Sequence, residues 1–415
     1  MINYSDRAVR LALLLILPLL AGSGNAPKSG EGEGALPPAG PTASALDDPF
    51  VVERATEGLE HLYGMRFVEA TQTFAEIDQR YPRHPIGPFL RALNTWWEIL
   101  LDLSDTSHDA KFFAQMDDVI ARSDAMLKRD RDNFDATFFK GAALGMRGRL
   151  RSNRGEWFKA AMDGKRAMDY VLEVARRDPQ NHDYVFGKGL YDYFAAVIGD
   201  RYTFAKPLMV FFPRGDRERG LAELTRAARH GRFIQTEAAY FLLQIYYLFE
   251  DDYQQSVYYA NWLRTRHPEN SFFHAFEGRV YARWSRWDVA GNVFRDVLKR
   301  YFQRAPGYTD ASAEQAYYYL ARGSMAGGRY EDALTHLQNL EIMTSRRHND
   351  TYFKVWGRFR QGMVQDALGN RAEATRRYRE VLAMKDWADV HERARRYLST
   401  AYRGHEAGLQ GSAAN

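Results

Sequence analysis

The sequence contains no cysteine among its 415 residues. Disulfides, thiolate metal sites, a cysteine nucleophile and a lipid-modified cysteine are therefore excluded. An excess of one charge is also missing, because 57 basic residues stand against 53 acidic ones. The resulting net charge of +4 gives no general attraction to nucleic acid, so we expect none as a partner.

Long apolar runs are missing beyond the N-terminus. Residues 11–20 form one apolar run, which follows Arg7 and Arg10 and precedes the small residues 21–23. Since about 20 apolar residues are needed to span a bilayer, this run is short for a membrane helix. Its order of charge, apolar core and small residues predicts a cleaved signal peptide over residues 1–23, with an uncleaved anchor as the alternative. We expect an exported protein, periplasmic or associated with the outer membrane.

Composition divides the remaining chain. Residues 24–48 and 404–415 are rich in small residues, and we predict a disordered linker and a disordered tail there. Between them, strand-like alternation is missing and apolar residues recur at helical spacing. The predicted parts are N-terminal hairpins (49–133), enlarged helical hairpins with insertions (134–232), C-terminal repeats (233–388) and a capping helix (389–403). Within the enlarged part, the apolar segment 203–213 is either a buried plug or an exposed docking segment.

A spacing of roughly 34 residues recurs along the chain. The unit 271–304 carries small residues at positions 8 and 20 and large ones at 11 and 24, namely Gly278, Ala290, Tyr281 and Phe294. Units 51–84, 314–347 and 355–388 repeat the pattern, and unit 237–270 follows it weakly. Glycines near 64, 327 and 369 are predicted to end the first helix of a hairpin in the left-handed conformation.

The repeated residues resemble the tetratricopeptide repeat (TPR) family. The resemblance implies an all-α fold, a right-handed superhelical solenoid of antiparallel helix hairpins. The small residues would let two helices approach, and the large ones would fill the space between hairpins. Around Gly141 the second-helix pattern comes about 14 residues late, at Ala167 and Val171, so enlarged, irregular hairpins are expected in the middle of the solenoid.

Catalytic and metal-binding patterns are also missing. The zinc-protease motif His-Glu-x-x-His and the Gly-x-Ser-x-Gly elbow do not occur. Asp130, Asp132 and Asp135 lack the glycine and closing glutamate of a calcium loop. We predict no enzyme activity, no cofactor and no metal. An enzyme with its active site in 134–232 stays an alternative without an identifiable nucleophile and base.

Two basic clusters stand out. One comprises Arg147, Arg149, Arg151 and Arg154. The other occupies the last hairpin and helix and comprises Arg371, Arg376, Arg377, Arg379, Arg393, Arg395, Arg396 and Arg403. They are either solvated faces interleaved with acids or contacts for an anionic lipid, glycan or protein.

The TPR resemblance also implies a partner-binding groove. In that family, positions 2, 5, 9, 12 and 13 of each unit face the concave side. The residues carried over to this chain are Phe272, Arg279, Arg283, Tyr318, Arg322, Phe241, Trp356 and Phe359. Arg279 and Arg322 both occupy position 9 and are expected side by side. We expect this groove to receive an acidic or C-terminal peptide segment; the alternative is that its arginines pair with nearby acids.

The resulting function is a protein-binding scaffold of the bacterial cell envelope, since solenoids of this kind display a concave surface. The sequence also allows association with the envelope membrane or with a glycan. A carbohydrate-binding or polysaccharide-export protein is the alternative, with stacking platforms at Trp96, Trp97, Trp284, Trp287 and Trp356.

Overall fold

The computed structural model describes residues 44–201 and 214–404. The predicted signal peptide (1–23), residues 24–43 of the predicted linker, the apolar segment 203–213 and residues 405–415 lie outside the described residues. The last part of the predicted linker, 44–48, is described. Residues Ala45–Asp47 form a 3₁₀ turn, and Oγ of Ser44 donates a hydrogen bond of 2.6 Å to Asp135. These five residues therefore pack on the folded chain.

The described part of the chain is all-helical, with 17 α-helices and no strand. Their bounds, in chain order, are α1 Pro49–Tyr63, α2 Phe67–Arg80, α3 Ile86–Leu101, α4 Asp109–Arg129, α5 Phe134–Asn153, α6 Trp157–Arg177, α7 His182–Arg201, α8 Arg217–His230, α9 Gln235–Ile245, α10 Tyr253–Arg266, α11 Ser271–Arg283, α12 Trp287–Phe302, α13 Asp310–Ala326, α14 Tyr330–Thr344, α15 Tyr352–Ala367, α16 Arg371–Leu382 and α17 Val390–Ser399. A π-helical turn, Tyr246–Glu250, follows α9. Over 44–201 and 214–404, no helix has the length and apolarity to span a membrane.

The described residues form two compact units. Residues 44–99 and 105–242 make one, here the N-terminal unit, and residues 100–104 and 243–404 make the other, the C-terminal unit. In both units helices that are consecutive in the chain pack against each other, as α5 does on α6 and α13 on α14. This sequential packing of hairpins confirms the predicted all-α, TPR-like repeat architecture.

Glycine at position 8 brings the two helices of a regular hairpin together. A Cβ placed on Gly278 would lie 2.7 Å from Cζ of Phe294, and one on Gly362 would lie 2.5 Å from a ring carbon of Tyr378. Gly58 is packed in the same way against Phe74. Side chains do not approach this closely, so each hairpin depends on a missing methyl group opposite a buried ring.

The middle hairpin uses the same contact over a longer stretch of chain. A Cβ on Gly141 would lie 2.9 Å from Cβ of Tyr170. The partners are 29 residues apart in sequence here (141 to 170), against 16 in the regular hairpins (278 to 294). The difference of 13 residues arises because α5 and α6 have 20 and 21 residues, whereas α11 and α12 have 13 and 16. The predicted enlargement is confirmed.

The turn after α1 differs from the prediction by one residue. Gly64 has φ −80°, and the left-handed residue is Met65, with φ +63°. The side chain of Met65 is buried, and this burial favours a conformation that a non-glycine residue otherwise adopts rarely. At the later turns, Gly328 and Gly369 do take the left-handed conformation.

Candidate functional site

Four arginines lie on successive first helices of the C-terminal unit. Helices α11, α13, α15 and α17 contact one another in that order, so residues on one side of them share a surface. Each helix contributes one guanidinium group, and we call the set Arg279, Arg322, Arg360 and Arg393 the arginine ladder. Arg279 lies on α11 and Arg322 on α13, two helices in contact; that the two side chains lie side by side stays a prediction.

Aromatic rings hold the first two arginines of the ladder. The guanidinium carbon of Arg279 lies 4.4 Å from the ring centre of Phe276, and that of Arg322 lies 5.2 Å from the ring of Trp287. Both groups are close enough for cation–π attraction, which is worth about 0.5–2 kcal/mol according to exposure. The rings help to keep each planar cation in place.

The charges of successive ladder arginines act on Tyr318, which is buried, and on Tyr319, which is half-buried. Burial raises the pKa of Tyr319 to about 12, although the charges of Arg279 and Arg322 act in the opposite direction. Burial also opposes ionisation of Tyr318, but here the charges of Arg360 and Arg322 prevail and lower its pKa. The electrostatic field of the arginine ladder therefore reaches the tyrosines that pack beneath it.

The last two arginines share one indole. The guanidinium carbons of Arg393 and Arg360 lie 5.3 and 5.8 Å from the ring of Trp356. Burial and the neighbouring charge of Arg360 lower the pKa of Arg393. Nε1 of Trp356 donates a hydrogen bond of 3.0 Å to the backbone oxygen of Trp387, which fixes the indole. Two positive charges therefore lie beside the same indole ring, whose orientation is fixed.

Several predicted groove residues are part of the core. Tyr318, Trp356 and Phe359 expose 1%, 6% and 2% of their surfaces, since each packs against neighbouring rings such as Tyr352 or Tyr397. These three side chains can support a binding surface, but they expose little surface of their own to a partner. Their role in partner binding stays a prediction.

The other predicted groove residues have separate environments. Arg283 forms an ion pair with Asp251 at 2.8 Å. This agrees with the alternative expectation that groove arginines pair with nearby acids. Phe272 is half-buried and contacts Phe276, with ring centres 6.2 Å apart. Phe241 belongs to the N-terminal unit, where Arg149 lies 4.7 Å from its ring.

Sequence reasoning missed Arg360 and Arg393. Position 9 of the last unit is Met363, and Arg360 lies three residues earlier on the same helix, nearly one turn away on the same face. Arg393 belongs to α17, and the sequence placed it in the second basic cluster but not in the groove. A search for arginine within one turn of position 9 would have found the first of these two.

Several of the other basic residues have acidic partners, and two of the predicted tryptophan platforms are buried. Arg376 and Arg377 both form ion pairs with Glu373 and Glu380. Trp96 and Trp97 are fully buried and offer no stacking platform for a sugar. No group of three or more potential metal-binding side chains occurs in the part of the chain that the structure describes.

Comparisons with known proteins add little to these observations. No family model and no curated protein matches the chain. The chain is similar to a solved structure of the P58(IPK) TPR domain, at 15% identity, over 87% of this chain and 91% of that one, with a TM-score of 0.24. So low a TM-score does not define a shared helix arrangement. The TPR-like character therefore rests on this chain's own hairpins and their glycine–aromatic contacts.

Proposed function

We propose that the protein is a non-catalytic scaffold whose arginine ladder binds an acidic segment of a protein partner. The observation that carries this proposal is the meeting of Arg360 and Arg393 over Trp356. Each guanidinium raises the electrostatic energy of the other, and an anionic group placed between them relieves that repulsion. A carboxylate suits the site because it accepts two parallel hydrogen bonds from one guanidinium.

The extent of the ladder favours a peptide over a small anion. Contacting helices lie about 8–10 Å apart, so the three intervals from α11 to α17 cover about 24–30 Å. An extended chain spans that distance with about eight residues. The aromatic rings beside the cations supply apolar contacts, so the partner segment combines acidic and apolar side chains.

The place of action is also a proposal. The apolar run 11–20 and its flanking arginines support export to the bacterial envelope. A partner there would be an exported or membrane protein with an acidic segment. A near-neutral overall charge fits recognition by a local cationic surface and not by the whole molecule.

The test uses defined fluorescent peptides. An acidic peptide with interspersed aromatic residues, its amide counterpart with Gln and Asn, and a lysine version are titrated with the protein, and fluorescence anisotropy is followed. We expect binding of the acidic peptide alone, weakened by salt. Replacing two cations, Arg360→Glu with Arg322→Glu, is expected to abolish it.

The matched control reverses a cation that already has acidic partners. Arg376→Glu lies on α16, outside the arginine ladder, and is expected to leave peptide binding unchanged. Equal binding of the acidic and amide peptides, or full binding by the doubly reversed variant, would show that the ladder does not serve this function.

A further inference from the structure

A large apolar cavity lies inside the N-terminal unit. Its volume is about 470 Å³, within the range of about 300–1,000 Å³ typical of small-molecule sites. Helices α1, α3, α5, α6, α7, α8 and α9 line it. All of its lining residues belong to the N-terminal unit, so this unit alone forms the cavity.

The cavity wall exposes apolar side chains. Six large ones that line it are only half-buried: Phe89, Leu93, Phe138, Met146, Phe186 and Leu190. Gly145 on α5 leaves additional room, because a Cβ built on it would meet no atom within 4 Å. Alanine would stabilise a helix by about 1 kcal/mol relative to glycine. Glycine at position 145 therefore leaves space at the cavity wall, although it lowers the stability of α5.

The residues of α5 that line the cavity extend from Phe138 to Arg149. At one end its rim includes the exposed residues Asp47, Gln180 and Arg232. Phe138, on the same helix, contacts Tyr184 near this end. Arg149 lines the cavity 11 residues further along α5, a distance of about 16 Å at 1.5 Å per residue. A linear ligand therefore fits the shape better than a compact one.

Arg149 differs from the arginines beside it in sequence. Arg147 and Arg151 both donate to Asp163, and Arg154 binds Asp109. The guanidinium group of Arg149 instead lies 4.8 Å from the ring of Trp96 and 4.7 Å from that of Phe241. Within residues 44–197 and 214–404, its side chain has no hydrogen bond or ion pair. A permanent cation with its donors available thus faces an apolar cavity.

A carboxyl group on the same cavity wall is engaged elsewhere. Glu237, also on the cavity wall, accepts hydrogen bonds from Nε1 of Trp97 at 2.8 Å and from the hydroxyl of Tyr63 at 3.4 Å. Burial raises the pKa of Glu237, and the charge of Arg149 opposes this rise only in part. Glu237 therefore does not occupy the donors of Arg149 and leaves them for a ligand.

We propose that the cavity binds one long-chain fatty acid, with its carboxylate on Arg149 and its hydrocarbon chain along α5. The apolar wall takes the chain, since burying each methylene group gains about 0.8 kcal/mol. The fork of Arg149 takes both carboxylate oxygens, and the rings of Trp96 and Phe241 hold the fork in place. A single-chain phosphate ester offers similar anionic chemistry, and the experiment separates the two.

The experiment follows displacement of cis-parinaric acid, a fluorescent fatty acid, from the purified, delipidated protein. Competitors are saturated fatty acids of increasing length, the alcohols of the same lengths and lysophosphatidic acid. We expect the acid to bind at least about tenfold more tightly than the alcohol, because hydrogen bonds to charged groups contribute about 1.5–3 kcal/mol. Lysophosphatidic acid is expected to compete less well than the acid.

Two variants test separately the contact with the ligand's head group and the contact with its hydrocarbon chain. Arg149→Met is expected to weaken acid binding about tenfold and to leave alcohol binding unchanged, while Arg176→Met, at an exposed position, is the control. Gly145→Leu fills the cavity and is expected to weaken both ligands, whereas Gly145→Ala retains binding. If Gly145→Leu does not fold, Ala142→Phe, on the same wall, replaces it.

Three results would overturn the proposal. The first is equal affinity for acid and alcohol in the unaltered protein. The second is unchanged binding when a folded variant fills the cavity. The third is stronger competition by lysophosphatidic acid than by the fatty acid, which would assign the site to a phosphate ester.

Discussion

Nε of Arg360 donates a hydrogen bond of 3.1 Å to the hydroxyl oxygen of Tyr318. The two residues lie on α15 and α13, the first helices of neighbouring hairpins. Tyr318 is buried, whereas Arg360 is half-buried. This bond therefore joins the core of one hairpin to the arginine ladder on the next, and fixes the direction of one guanidinium.

Removal of that hydroxyl is expected to destabilise the C-terminal unit. Tyr318→Phe keeps the ring but leaves Arg360 without its acceptor, which should lower the free energy of unfolding by about 1–2 kcal/mol. Urea denaturation followed by circular dichroism measures the change. Tyr317→Phe, at the half-buried neighbouring position, is the control and is expected to change the stability by less than about 0.5 kcal/mol. Equal losses in both variants would contradict the role of the bond.

A single methyl group should disturb a regular hairpin. Gly278→Ala places a Cβ 2.7 Å from the buried ring of Phe294, and the resulting overpacking is expected to cost about 1–3 kcal/mol. Gly291→Ala, on α12, meets only the flexible side chain of Arg295, at 3.3 Å. There the better helix propensity of alanine should leave stability unchanged or higher. If Gly278→Ala unfolds at the same temperature as the unaltered protein, the two helices of the hairpin can move apart without loss of stability, and the prediction is wrong.

Asp163 supports the N-terminal unit through two arginines. Its carboxylate is 1% exposed and binds Arg147 at 2.5 Å and Arg151 at 2.6 Å. Asp163→Asn removes the buried carboxylate and leaves Arg147 and Arg151 only their more exposed partners, Asp117 and Glu156. A loss of about 3 kcal/mol is expected. Glu173→Gln removes a comparable partner from the exposed Arg176 and should change stability by less than about 1 kcal/mol. Chemical denaturation of both variants measures the two losses of stability and shows whether the buried carboxylate contributes more than the exposed one.

The stability of the C-terminal unit should fall in mild acid because of His274. Burial lowers the pKa of His274 to about 3, from 6.5, so between these values the unfolded chain binds a proton that the folded chain does not. The contribution is fully present above pH 6.5 and is lost as the pH falls. From pH 7 to pH 5 the loss is about 2 kcal/mol.

His274→Gln is expected to reduce this pH dependence but not to remove it, because burial also lowers the pKa of His267, in the same unit, to about 3. The charged and titratable groups around His274 are Arg264, Asp296, Arg300 and Tyr308. They remain in the variant, so a change in slope reports the histidine itself. His348→Gln, at an exposed position, serves as the control. Unfolding curves from pH 7 to pH 5 with the same slope in the unaltered protein and His274→Gln would show that His274 titrates normally in the folded state.

The hairpins could be predicted from the sequence because each depends on a local pattern. The pairing of Gly278 with Phe294 follows from a fixed spacing, and so does the delay at Gly141. The arginine environments could not be predicted in this way. Arg149 and Arg147 are two residues apart, yet one contacts Trp96 and the other Asp163. Such differences depend on tertiary packing between distant helices, which the spacing of residues does not encode.

Gly145 also offers a direct means of observing the cavity. Because the chain has no cysteine, Gly145→Cys would introduce the sole thiol of the protein, at a point where an added Cβ meets no atom within 4 Å. The rate at which a small thiol reagent modifies this position then reports how often the cavity admits a solute. A reagent attached at residue 145 would report whether the cavity is occupied. Ligand binding could then be followed without purifying the complex.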